Sequence, residues 1–114
     1  MSRRLQRVNE LLLRELSDLI QHHLNDPRVA MMTSVTEVDT SQDLHYSKVY
    51  VSVMGAEQER RDTMAALTAA SKFLQRMLKD RVTLRYIPNL HFVSDTSIER
   101  GARLQELIKQ VSSS

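Results

Sequence analysis

The sequence predicts an α+β domain in the order α-β-β-α-β-α, with a three-stranded mixed sheet and the helices packed on one face. Three observations point there. Aliphatic residues recur at three- and four-residue spacing in separate stretches near the start, middle and end of the chain. Residues 44–54 alternate between aliphatic and polar or aromatic side chains, the period of a half-buried strand. Pro27, Gly55 and Pro88 stand between such segments, where they punctuate without breaking them.

Residues 3–24 read as the first helix. Leu5, Val8, Leu12, Leu16 and Leu19 make one apolar stripe, and Ser2 is placed as an N-cap. Asp26-Pro27 ends it, because proline lacks the amide donor and disfavours helical geometry just before it. Arg3, Arg7 and Arg14 fall on the side opposite the leucines, with Glu10 diluting them. Residues 33–40 and 44–54 read as two strands joined by the turn Thr40-Ser41-Gln42-Asp43. The second strand sets Val49, Val51 and Val53 on one face and Tyr46, Lys48, Tyr50 and Ser52 on the other; the first alternates poorly.

Residues 57–79 read as a second helical region with the stripe Leu67, Ala70, Leu74, Met77 and Leu78. Lys72, Arg76 and Lys79 share its opposite face, and a basic connector, 81–87, runs up to Pro88. Residues 89–95 read as a third strand. Thr96 and Glu99 have capping-box spacing before a last helix carrying Leu104, Leu107, Ile108 and Val111, with Gly101 a mild cost inside it. A strand–helix–strand crossover makes the second and third strands parallel if they share a sheet. One domain over 1–111 and a frayed tail, 112–114, follow from this.

The 114 residues are 41% hydrophobic and 26% charged, which suits one folded domain. No apolar run approaches a membrane span, and the basic N-terminus lacks the apolar core of a secretory signal. Without cysteine there are no disulfides, thiolate zinc sites or cysteine nucleophiles. A cytoplasmic protein with no membrane partner is the expectation. The net charge is only +2, but it is unevenly spread: residues 31–59 carry −4 and residues 60–114 carry +5. An acidic segment beside a basic one suits a face for a polyanion.

Nothing points to catalysis. Two isolated glycines cannot build a phosphate-cradling loop. His22 and His23 are adjacent on a helix and do not form an i, i+4 chelate. Asp39 and Asp43 flank a turn, where carboxylates ordinarily bond backbone. No metal or cofactor is expected. Met31-Met32 lie in a loop that is either a contact surface or core filling.

The segments Arg7-Val8, Asp26-Pro27-Arg28, Thr36-Glu37-Val38, Ser41-Gln42-Asp43-Leu44, Lys48-Val49-Tyr50-Val51-Ser52-Val53 and Arg85-Tyr86-Ile87-Pro88-Asn89-Leu90-His91-Phe92, with Asp95-Thr96-Ser97 and Gly101, resemble ribosome-binding factor A in order and spacing over nearly the whole chain. That resemblance implies a KH-like fold of type II order in which a kinked helix–helix junction replaces the Gly-x-x-Gly clamp. No such clamp occurs here, so the usual KH grip on single-stranded RNA is not available. The family's junction typically reads Ala-x-Gly. Here the matching positions are Ala70-Ser71-Lys72, and a junction needing positive φ would be costly with lysine in the glycine position.

The resemblance further implies a bacterial, non-enzymatic assembly factor. Its partners would be the free small ribosomal subunit and 16S rRNA with its precursor. Its role would be late assembly and maturation of the precursor's 5′ end, including under cold stress. On that reading Lys72, Arg76, Lys79, Arg81 and Arg85 contact phosphates, Arg3, Arg4 and Arg7 form a second group, and Arg28 adds a weaker contact. Tyr46 and Tyr50 are candidates for stacking on exposed bases. A monomer is expected. The competing readings are a KH-like or double-stranded-RNA binder outside ribosome assembly, a protein-interaction adaptor using Met31-Met32 and acidic residues 37–59, and a small hydrolase using His22, His23 and Asp26.

Overall fold

The computed structural model describes residues 2–30 and 32–95. Helix α1 (Arg3–Asp18) begins where the Ser2 hydroxyl accepts the Leu5 amide at 3.1 Å. It continues into a single π-helical turn, Leu19–His23, before Leu24 becomes extended. The uniform helix expected to residue 24 is thus corrected. The wider turn falls where consecutive residues, Leu19 and Ile20, are both buried.

Strands β1 (Thr33–Thr40) and β2 (Tyr46–Val53) pair antiparallel, and β3 (Asn89–Ser94) pairs parallel to β2, in the order β1-β2-β3. The expected mixed sheet is present. Its register explains the poor alternation of β1. A bulge between Val35 and Glu37 inserts Thr36, which returns Val38 and Thr40 to the buried face. The Thr36 hydroxyl bridges the Tyr50 carbonyl (3.3 Å) and the Asp95 carboxylate (2.6 Å). In the hairpin turn, Leu44 is the one non-glycine residue at positive φ (64°) among the described residues. There Asp43 Oδ1 accepts the Ser41 hydroxyl at 2.6 Å and the His45 amide at 3.1 Å.

Helix α2 (Glu57–Ala69) and helix α3 (Ser71–Arg81) meet at Ala70, which has φ −88° and ψ 1°. The helix is therefore interrupted at Ala70 without any positive φ, and Lys72 sits inside the first turn of α3 rather than at the interruption. Lysine in the family's glycine position does not remove the break. Helix α3 also runs to Arg81, which corrects the expected start of the connector.

The core lies between one sheet face and the helices. Leu12, Leu16 and Leu19 meet Val49 and Val51, and Leu67, Leu74 and Leu78 close the layer; all are fully buried. Each such side chain contributes on the order of 1.5–3 kcal/mol by leaving water. Buried Thr63 ties α2 to the loop before β1: its hydroxyl accepts the Ala30 amide (3.0 Å) and donates to the Arg28 carbonyl (3.2 Å). The other sheet face, with Tyr46, Lys48 and His91, is exposed, as expected. The predicted last helix, with its capping box at Thr96 and Glu99, and the tail 112–114 lie outside the described residues. Among the described residues no helix is long and apolar enough to cross a membrane.

Candidate nucleic-acid interface

The two cation groups that the sequence separates by some seventy residues lie along one edge of the fold. Arg3, Arg4 and Arg7 occupy the exposed side of α1 at its N-terminus, because the leucine stripe claims the other side. Arg76 and Lys79 are exposed on α3 for the same reason. The connector after α3 joins them. Arg85 shares a hollow of about 600 Å³ with Arg3, Arg4 and Arg7, and another of about 390 Å³ with Arg76 and Lys79. Arg85 and Arg4 also line a third, of about 410 Å³, next to the hairpin turn. Lys72 continues the α3 row toward β3, where its ammonium donates to Asn89 Oδ1 at 3.2 Å.

Two predicted cations have other partners. Arg81 was expected among the free cations of the connector. As the last residue of α3 it faces α1 instead, where it donates to Asp18 Oδ2 at 2.6 Å and Glu15 Oε2 at 3.1 Å and lies 2.9 Å from His23 Nε2. The hydrogen bond from Arg81 holds the Asp18 carboxyl below the ordinary carboxylate range, and the same bond raises the Arg81 guanidinium. Arg28 makes a bidentate pair with Asp26, at 2.8 and 3.2 Å, and its own amide caps the same carboxylate. That pairing lowers Asp26 and raises Arg28. Both arginines thus have part of their charge answered within the fold.

The aromatic groups are partly those expected. Tyr46 is 64% exposed on the open sheet face, while Tyr50 is half-buried farther along the same strand. Sequence reasoning missed a second aromatic group. The His45 and Tyr86 rings stack with centroids 4.7 Å apart, and the Arg85 guanidinium lies 5.6 Å from the Tyr86 ring centre. Tyr86 is 43% exposed. The available signal was a tyrosine next to Arg85 in a basic connector, a setting where an apolar anchor alone would not need a hydroxyl-bearing ring. Met32 is exposed beside the equally exposed Met54, whose amide donates to the Met32 carbonyl at 3.0 Å; Met31 lies outside the described residues.

Residues 4–108 match the family model of ribosome-binding factor A. The chain is 48% identical over 109 residues to ribosome-binding factor A of Acetivibrio thermocellus, covering 96% of this chain and 89% of that one. It is 50% identical over 105 residues to that of Nitrosococcus oceani, covering 92% and 82%. The fold is similar to the crystal structure of ribosome-binding factor A from Thermus thermophilus, with a TM-score of 0.70 at 31% identity over 79% of this chain and 94% of that one. It is also similar to the Thermus thermophilus factor as fitted into a cryo-electron-microscopy map of a 30S complex, with a TM-score of 0.62 at 32% identity over 75% and 89%. The family-model match, sequence identity along almost the whole length and a shared α+β scaffold place this chain in the ribosome-binding factor A family.

Proposed function

We propose that this protein binds the small (30S) ribosomal subunit and acts there as an assembly factor, supporting late maturation of 16S rRNA at the 5′ end of its precursor. The observation that carries the RNA-binding part is the position of Arg85. It lines hollows with both the α1 arginines and the α3 cations, so one basic band runs from Arg3 to Lys79. Cations spaced along such a band suit a sugar–phosphate backbone, whose contacts position a protein and carry little sequence information. Lys72, Arg76, Lys79 and Arg85, with Arg3, Arg4 and Arg7, make the phosphate contacts; Tyr46 stacks on an unpaired base from the open sheet face. The 30S complex of the Thermus thermophilus relative supports the partner.

The test is co-sedimentation with purified 30S subunits across a salt series. Replacing Lys72, Arg76 and Lys79 together with glutamine weakens binding and reduces the slope of log affinity against log salt by about 2, at roughly 0.7 per lost contact. A folded triple variant with unchanged affinity and slope removes α3 from the interface.

A further inference from the structure

The hollow next to the hairpin turn differs in chemistry from the rest of the basic band. It is lined by Arg4, Gln42, Asp43, Leu44, Arg85 and Tyr86 and encloses about 410 Å³, within the range of small-ligand sites. Arg4 and Arg85 suit phosphate. The Tyr86 ring, 43% exposed, stacks on His45 and has the Arg85 guanidinium over it at 5.6 Å, so a base stacking there would share the ring with that guanidinium. Asp43 does not fit a surface that binds only phosphate, because a carboxylate repels it.

The structure keeps that carboxylate ionised. Oδ1 accepts the Ser41 hydroxyl and the His45 amide, and these bonds hold Asp43 below the ordinary carboxylate range. Ser41 and His45 both bond Oδ1, the backbone amide of Asp43 itself also helps to lower the carboxyl, and neither Arg4 nor Arg85 forms an ion pair with it among the described residues. A carboxylate only accepts. Guanine alone among the RNA bases presents two adjacent donors, N1–H and the N2 amino group, on its Watson–Crick edge. Adenine and cytosine offer one amino group beside an acceptor, and uracil one imino N–H between two carbonyls.

We infer that this hollow is a single-nucleotide site selective for an unpaired guanosine in RNA, with the base against Tyr86, Asp43 accepting from its Watson–Crick edge, and Arg4 and Arg85 on the flanking phosphates. The inference rests on the RNA-binding reading above and adds base selectivity to a surface whose other contacts are indifferent to sequence. The selectivity is read by a side chain of the β1–β2 turn, away from the α2–α3 junction.

The experiment titrates the full chain with uridine pentaribonucleotides carrying a central guanosine, adenosine, cytidine or uridine, and with inorganic phosphate, followed by backbone amide NMR. The guanosine pentamer is expected to bind about tenfold more tightly than the all-uridine one, in keeping with a good base-edge contact. Its largest shifts fall at residues 42–45 and 84–87. Asp43→Asn keeps an Oδ1 acceptor for Ser41 and His45 and places an amide donor at the second position. It abolishes the guanosine preference without weakening the all-uridine pentamer. Tyr86→Ala weakens all four pentamers by about tenfold.

Equal affinity for the four wild-type pentamers overturns the inference, and that comparison needs no variant. So does a guanosine preference that survives Asp43→Asn, or inorganic phosphate shifting the same amides to the same extent. Co-sedimentation of wild type and Asp43→Asn with 30S subunits separates the two readings. Intact subunit binding without guanosine preference removes the pocket alone, and absent subunit binding by wild type removes the partner.

Discussion

The guanidinium of Arg81, the last residue of α3, lies 2.6 Å from the carboxylate of Asp18, the last residue of α1. It also bonds Glu15 one turn earlier and meets His23 in the π-helical turn. One side chain therefore joins two helix ends and the segment that leads to β1. Arg81→Gln is expected to lower the urea midpoint of unfolding, whereas Lys79→Gln, two residues away and exposed, leaves it nearly unchanged. If both variants unfold at the wild-type midpoint, the Arg81 contacts contribute nothing to stability.

The same pair sets a pH dependence. The folded-state pKa of Asp18 is depressed from the ordinary 3.8 by its bond to Arg81. A depressed carboxylate contributes stability that is present above its unfolded pKa and lost as pH falls through the folded one. Asp26 and Asp43 act in the same direction through their own hydrogen bonds. Wild type is expected to lose stability below about pH 4. Arg81→Gln removes the chief cause of the Asp18 depression, so its acid-side slope is shallower. Urea midpoints at several pH values below neutrality, compared between the two proteins, check this; identical slopes exclude Asp18 as a contributor.

Thr63 offers a test of the loop before β1 that involves no charge. Its buried hydroxyl serves both the Ala30 amide and the Arg28 carbonyl. Thr63→Val keeps the shape and removes both bonds, leaving a donor and an acceptor poorly satisfied. A loss of ~1–3 kcal/mol in unfolding free energy is expected from chemical denaturation. A change within a few tenths of a kcal/mol means that the loop finds other partners.

Most of the scaffold was legible because its determinants are local and periodic. The leucines of α1, the alternation of β2 and the position of Pro88 each report directly on one element. The poor alternation of β1 was also a signal, since the Thr36 bulge resets the period halfway along the strand. What the sequence did not disclose is long-range. Arg81 has the same local surroundings as Lys79, and only the approach of α1 shows that it faces Glu15 and Asp18. The stacking of His45 on Tyr86 joins residues 41 positions apart, across a turn and a connector that carry no common pattern. The band itself required knowing that the connector places Arg85 beside both Arg4 and Lys79.

The helix junction makes a further prediction. Ala70 reaches its conformation at negative φ, and Lys72 lies within α3. Glycine therefore has no steric advantage at either position. Lys72→Gly is expected to destabilise the protein by about 0.5–1 kcal/mol through the greater backbone freedom of the unfolded chain. Unfolding free energies of the two proteins check it; a more stable glycine variant would mean that the lysine strains the junction.

The basic band predicts an order among its arginines. Arg85 shares hollows with cations from both helices and has no acidic partner among the described residues, whereas Arg28 is held bidentately by Asp26. A guanidinium already engaged by a carboxylate releases fewer counterions when it meets RNA, because part of its charge is answered beforehand. Arg85→Gln is therefore expected to weaken 30S binding and lower the salt slope by about 0.7, with Arg28→Gln producing a smaller change in both. The double change Asp26→Asn with Arg28→Gln separates charge from structure, since Asp26 also orders the loop through the Arg28 amide. Salt-dependent co-sedimentation of the three variants reads the order. A larger effect at Arg28 than at Arg85 would move the interface toward the loop before β1 and away from the edge between α1 and α3.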